Sequence, residues 1–305
     1  MFKNGYHFEN GIYVYSFNDK TVEKIKNFYR DDPFPNYEIN DDKATIKKRG
    51  DNNRYTYELK KFIGYGKKII EIGAGTCQLS NYLAIGTNNS IVALDANLNS
   101  LKLGKDFANK NDIKNVSFVC ADIFDNRLEN NSFDFVICNG VLHHTKNSFE
   151  AFIHSRKLLK TNGYILVGLY NFYGRIRTRI RGFFYKIFGK KFVTALDPVL
   201  RKIEKKSKKK IDAWIKDQYI HPVERSHSYD EVLNWFKQTK TEFISSYPSC
   251  EFFLNSQNSN DLELLFLKGN ESNFFERILA QIFMIFGRAG SEGGLFFFLG
   301  KKLKD

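Results

Sequence analysis

The chain has 305 residues, enough for two average domains or for one large α/β domain with insertions. Hydrophobic residues make up 42% and aromatics 16%, with 30 Phe, which excludes a mainly disordered chain, and 5 Pro exclude a collagen-like or polyproline molecule. Against 34 Asp+Glu stand 47 Lys+Arg, a formal charge of +13 that invites an anionic partner, either nucleic acid or membrane.

Residues 1–65 are polar and aromatic. A helical piece is expected near 21–29, then an extended segment 31–37 enforced by Pro33 and Pro35, then a helix over 55–62. From residue 67 short β-rich runs alternate with helical ones. Strands are predicted at 67–72, 90–95, 116–120, 133–138 and 164–169, with helices at 78–85, 99–109 and 148–160 between them. Continuous apolar strands separated by helices predict a parallel sheet covered on both faces. The alternation stops over 171–228. It resumes with a helix at 229–238, a strand at 242–247, a helix at 274–286 and a strand at 295–299.

Four cysteines, Cys77, Cys120, Cys138 and Cys250, share no CxxC spacing, so reduced buried thiols are expected rather than a zinc site or a disulfide framework. The N-terminus has no apolar signal-peptide core, and neither 274–286 nor 295–299 reaches bilayer-spanning length. The expected location is cytoplasmic, with peripheral membrane contact left open.

Chemistry concentrates at the strand ends. The first strand closes in Glu71-Ile-Gly73-Ala-Gly75-Thr-Cys77, a glycine turn that lets a ligand approach the backbone where open α/β sheets bind. A dinucleotide site would want a third glycine where Gln78 stands, so pyrophosphate binding is disfavoured. Asp95 closes the second strand, where a carboxylate can accept both hydroxyls of a ribose. Asp122 closes the third, placed to accept from an adenine amine with Ile123 or Phe124 against the ring. Asn139-Gly-Val-Leu-His143-His144-Thr145 forms a polar turn after the fourth strand, and Tyr170-Asn171 follow the fifth, placed to face an acceptor.

Taken in order, these features resemble the class I S-adenosylmethionine-dependent methyltransferases. The Glu71–Cys77 turn is similar to their first motif, with Cys77 in place of a third glycine. Asn139–Thr145 is similar to the fourth motif of the quinone-biosynthesis-like branch, which contains many small-molecule methyltransferases. Leu158-Leu-Lys-Thr-Asn-Gly163-Tyr-Ile-Leu166 resembles the segment leading into the fifth strand. The resemblance implies a Rossmann-like, seven-stranded, mostly parallel sheet in the order 3-2-1-4-5-7-6, with helices on both faces. It implies S-adenosylmethionine as cofactor and S-adenosylhomocysteine as product. Gly73 and Gly75 would lie under the methionine moiety, Glu71 would orient its ammonium, and the Asn139 backbone would lie near it. Asp95 with Ala96 would hold the ribose, and Asp122 with Ile123 the adenine. His143, His144 and Tyr170 are the catalytic candidates, a neutral imidazole suiting a general base at pH 7. Alignment of the acceptor without a base is the alternative. No Asn/Asp-Pro-Pro-aromatic motif follows the fourth strand, which argues against exocyclic base amines as acceptors.

The expected organisation is a methyltransferase core over 66–170 and 229–305, an N-terminal lid over 1–65, and a basic helical insertion over 171–228 acting as substrate cap. Tyr29, Phe34 and Tyr37 in the lid, with Asn171, Tyr219, His221 and Arg225, are the candidate substrate contacts. Residues 171–228 hold 16 Lys+Arg and 5 Asp+Glu, so the basic excess belongs almost wholly to the insertion. Ile176, Ile180, Phe183, Phe184, Ile187 and Phe188 recur there at helical spacing among Arg and Lys. Three readings stand: a cap whose apolar face closes the active site, an anionic-membrane contact through 174–210, or a grip on a phosphate-bearing substrate such as RNA. The stretch 218–227 is read as a polar pocket wall, a surface loop, or a metal site from His221, Glu224 and His227, with no metal assigned. The expected activity is methyl transfer to O, N or activated C of a small or lipid-like acceptor. The rivals are an RNA methyltransferase and a non-catalytic membrane-associated module, and the oligomeric state is left open.

Overall fold

A computed structural model describes residues 2–17, 23, 37–203, 208–251, 262–286 and 293–304. Among these, nine strands form one sheet: β1 (Tyr6–Glu9), β2 (Ile12–Tyr15), β3 (Lys68–Ile72), β4 (Ser90–Asp95), β5 (Val116–Cys120), β6 (Phe133–Asn139), β7 (Leu159–Tyr170), β8 (Thr241–Tyr247) and β9 (Leu295–Lys302). Their order is β1-β2-β5-β4-β3-β6-β7-β9-β8. Strands β3 to β9 reproduce the expected seven-stranded order, with β9 antiparallel to both β7 and β8.

The difference is at the edge. Residues 6–15 are a hairpin that extends the sheet, where the sequence reading put the start of a lid. Strand β2 lies parallel to β5, pairing Ile12 with Phe118 and Val14 with Cys120. Its turn is Asn10-Gly11, with φ of 49° and 80°, the two left-handed positions of a type I′ turn. The expected helix near 21–29, with Tyr29 and Phe34, lies outside the described residues apart from residue 23.

Helices α1 (Lys43–Asn52), α2 (Arg54–Ile63), α3 (Gln78–Ala84) and α4 (Leu98–Lys110) cover one face of the sheet. The other face is covered by α5 (Ser148–Lys157), α9 (Tyr229–Gln238) and α10 (Phe274–Ile285). Successive residues of a strand serve opposite layers: Ile69 packs with Leu59, Ile63 and Leu83, whereas Ile70 packs in the layer of Phe152 and Phe236. Local chemistry sets the helix starts. The Asn97, Asn147 and Ser228 side chains accept from first-turn amides of α4, α5 and α9, and Asn273 with Glu276 forms a capping box on α10.

The insertion contributes α6 (Ile176–Leu196), α7 (Pro198–Ile203) and α8 (Lys208–Tyr219), which share a small core of Val193, Leu200, Ile211 and Ile215. It is pinned to the main sheet by His227 N–H donating to Tyr170 O and Arg225 N–H donating to His143 O.

Candidate active site

The site lies at the C-terminal ends of β3, β4, β5, β6 and β7. At the end of β3 the Gly73 and Ala74 amides both donate to Leu94 O, at 2.8 and 3.0 Å, folding the turn back over β4. Gly73 has φ 72°, and a Cβ there would stand 2.2 Å from Val141 Cγ2, so only glycine lets the β3 and β6 turns touch. Asp95 joins the two halves of the cradle by accepting from Gly75 N–H at 2.8 Å and Asn97 N–H at 2.7 Å. Burial raises the Asp95 carboxyl above its ordinary range, and those amides partly offset it. Asp122 caps the 3-10 turn Ile123–Asp125 through Phe124 N–H, with Ile123 buried beside it.

Glu71 is buried, accepts from Ser80 Oγ, and is pushed up to about 7, chiefly by desolvation. Among the buried polar atoms without partners are the Tyr55 hydroxyl and the Gln78 and Asn97 side-chain nitrogens. Gln78 and Asn97 follow the cradle turns, and the Tyr55 hydroxyl is close enough to Glu71 to feel its charge. Buried polar groups left unpaired are costly, so these atoms suit a polar ligand. An ammonium, a ribose diol and an adenine amine fit Glu71, Asp95 and Asp122 in turn, and the residues present fit S-adenosylmethionine. Tyr37, expected at the substrate, is placed under this cradle. Its hydroxyl donates to Thr76 O, accepts from Asn81 Nδ2, and its ring stacks on Phe107 at 4.5 Å.

On the β6–β7 side the 3-10 turn Leu142–His144 packs two imidazoles against Tyr170. Ring centroids are 4.1 Å apart for His143–Tyr170, 4.1 Å for His143–His144 and 3.7 Å for His144–His221. His143 is 0% exposed, and neither ring nitrogen has a hydrogen-bond partner. His144 Nδ1 is 2.7 Å from Val223 O. Burial, reinforced by His144 and Arg175, holds His143 well below the usual imidazole range. Burial and then His221 push His144 down to about 3. Both are neutral near pH 7.

Arg175 sits behind Tyr170, its guanidinium carbon 3.9 Å from the ring centroid and the residue only 1% exposed. It donates to Glu224 through Nε and Nη2, and to Gln218 and Gly293 O through Nη1 at 2.7 and 3.0 Å. Gln218 Nε2 in turn donates to the Tyr170 hydroxyl at 2.9 Å. This support was missed in sequence, where the insertion's arginines were read as a solvated cap face, a membrane contact or a phosphate grip, and Glu224 as pocket wall, surface loop or metal ligand. Forty-nine residues separate the two partners, and no local pattern announces the pairing.

Two of the expected substrate contacts have their polar groups engaged within the protein. Asn171 is buried, with its carboxamide committed to Gln281 and His227 O on one side and the Tyr173 and Gly174 amides on the other. The Tyr219 hydroxyl is held by Asp197, 2.7 Å away, inside the insertion. His221 does join the imidazole cluster, and Arg225 anchors the 221–227 strap through Lys146 O. His227 is bonded to Glu231 and Ser148, and Glu224 to Arg175. Asn139 is half-buried at the end of β6, its side-chain oxygen packed over Gly168.

The glycine turn, the strand-end acids and the sheet order together define a class I cofactor-binding methyltransferase site. Residues 63–277 match a family described as "Methyltransferase domain", and the chain belongs to that family of S-adenosylmethionine-dependent enzymes. Solved structures share the fold. PKMT2 from Rickettsia typhi is 15% identical with a TM-score of 0.53, covering 83% of this chain and 54% of its own. A chain from the complex between the Haloferax volcanii Trm112 methyltransferase activator and a methyltransferase is 11% identical with a TM-score of 0.50, covering 95% and 100%. Among curated proteins nothing matches.

Proposed function

We propose that the protein methylates a small, weakly polar or lipid-like acceptor held between the glycine turn and the imidazole cluster. The observation that carries this reading is His143, fully buried beside Tyr170 with both ring nitrogens unpartnered. A neutral imidazole in that state takes a hydrogen bond from, or gives one to, an uncharged acceptor group. Arg175 is occupied by Glu224, Gln218 and Gly293 O, so this buried guanidinium behind Tyr170 is not offered to a phosphate. That favours a neutral acceptor over RNA at the reacting centre.

When bound, S-adenosylmethionine supplies a methyl group already activated by the sulfonium. Gly73 and Gly75 shape the backbone turn, Asp95 ties it to β4, and Asp122 and Ile123 border the adenine end. Tyr170, fixed by Gln218 and Arg175, and His144, fixed by Val223 O, hold the acceptor side rigid. An imidazole pushed down to about 3 is a poor proton acceptor at pH 7, so His144 orients rather than deprotonates. Alignment and water exclusion then carry the rate, a contribution on the order of several kcal/mol.

The test is a cell extract incubated with the protein and cofactor carrying a labelled methyl group, then fractionated into small metabolites, lipids and RNA. Label in metabolites or lipids, strongly reduced in His143→Ala with S-adenosylhomocysteine binding intact, is expected. Label confined to RNA would establish the nucleic-acid rival. Absence of S-adenosylhomocysteine binding in calorimetry, with no difference between wild type and Asp95→Ala, would refute the cofactor assignment.

A further inference from the structure

Helix α6 is turned the opposite way from a simple cap. The face toward the protein carries Thr178 and Arg181, both buried, and Tyr185, which packs with the insertion core. Its apolar residues look outward: Ile180 is 52% exposed, Phe183 61%, Ile187 56% and Phe188 58%. Spacings of three and four residues align Ile180, Phe183 and Ile187 in one stripe. Beyond the break at Gly189, where φ is 75°, Phe192 and Leu196 are exposed as well.

Charge frames the stripe. At 100° per residue, Arg177 falls on one flank and Arg179 and Lys186 on the other. Arg179 is fixed there, its guanidinium 5.1 Å over the Phe172 ring and donating to Ser226. No Asp or Glu occurs between Ile176 and Leu196, and the sequence continues the basic run at 201–210.

We propose that α6 is an in-plane membrane anchor, its Ile and Phe stripe entering the acyl boundary of an anionic bilayer while Arg177, Arg179 and Lys186 lie at headgroup level. Such a helix needs an outward apolar stripe, cationic flanks and too little apolar length to span, and α6 has all three. A second copy of the chain is a poor partner, because it would bring the same acid-free cationic flanks together. RNA fits the stripe less well than acyl chains do, because the aliphatic Ile180 and Ile187 on either side of Phe183 give bases no continuous stacking platform. The anchor does not depend on the methyl-transfer reading, although it suits a lipid-like acceptor.

The experiment is flotation of the full chain with phosphatidylcholine vesicles, with and without phosphatidylglycerol. Wild type should float with the anionic vesicles and bind the neutral ones about tenfold less. The exposed double substitution Phe183→Ser/Ile187→Ser should remain at the bottom with both. Arg177→Glu/Lys186→Glu should lose the anionic preference. Unchanged S-adenosylhomocysteine binding in both variants confirms that they are folded, and it reports the cofactor reading separately from the anchor. Failure of wild type to float, flotation indifferent to the Ser substitutions, a wild-type dimer that those substitutions dissociate, or salt-dependent RNA retention as the only binding would each overturn the anchor.

Discussion

The Cβ and Sγ of Cys77 lie 2.6 and 2.7 Å from where a Cβ on Gly104 would stand. Cys77 occupies a left-handed position, φ 61°, at the end of the cofactor turn, where the related motif carries a third glycine. Gly104 on α4 makes room for the side chain that Cys77 adds. Gly104→Ala should therefore cost about 1–3 kcal/mol in denaturant unfolding and weaken cofactor binding. Cys77→Gly in the same chain should restore only part of both, because it removes the Cys77 contact and the strained φ but leaves Thr76 O 2.7 Å from the new Cβ.

Arg175 and Glu224 form the buried ion pair behind Tyr170. Arg175→Met leaves the Glu224 carboxylate and the Gln218 oxygen without their donor, and about 3–5 kcal/mol of stability should go with it. The pair substitution Arg175→Met/Glu224→Gln should recover part of that loss. Arg175→Lys should not, since one ammonium cannot reach Glu224, Gln218 and Gly293 O in the same geometry. Chemical denaturation of the four proteins checks the order.

The buried imidazoles make the fold acid-sensitive. His144 is pushed down to about 3 from the ordinary 6.5, so the unfolded chain binds the extra proton first. Its stabilising contribution is complete above pH 6.5 and is lost as pH falls from there toward 3, and His143 acts in the same direction. Glu71 opposes them between 4.5 and about 7, because its raised carboxyl prefers the folded neutral form. Stability should still fall on acidification below 6.5, and His144→Asn should flatten that slope in urea titrations at a series of pH values.

Glu71 also links cofactor binding to protons. Burial holds it up to about 7, and an ammonium placed beside it would draw it back down. Affinity for S-adenosylhomocysteine should therefore rise as pH climbs toward 7, with a proton released on binding in the acidic range. Calorimetry in buffers of different ionisation enthalpy measures that release, and Glu71→Gln should abolish it.

The core was legible because its signals are local. Val116–Cys120 and Tyr229–Gln238 have the bounds expected from apolar runs and cap residues, and Gly73, Asp95 and Asp122 stand at strand ends where the alternation puts them. The β1–β2 hairpin was legible but overlooked: Asn10-Gly11 between Phe8 and Ile12 is a strong two-residue turn signal.

The sequence by itself determined the layered α/β class, the cofactor cradle and the concentration of charge in 171–228, since period, glycine placement and charge can be counted along the chain. Tertiary structure alone decided what those counts face. Helical spacing shows that Ile180, Phe183 and Ile187 share a stripe, and only packing shows that the stripe points outward while Arg175, just before the helix, is buried behind Tyr170. A long-range ion pair or a cluster of imidazoles from two turns has no local signature, because its energy arises only when distant segments exclude water together.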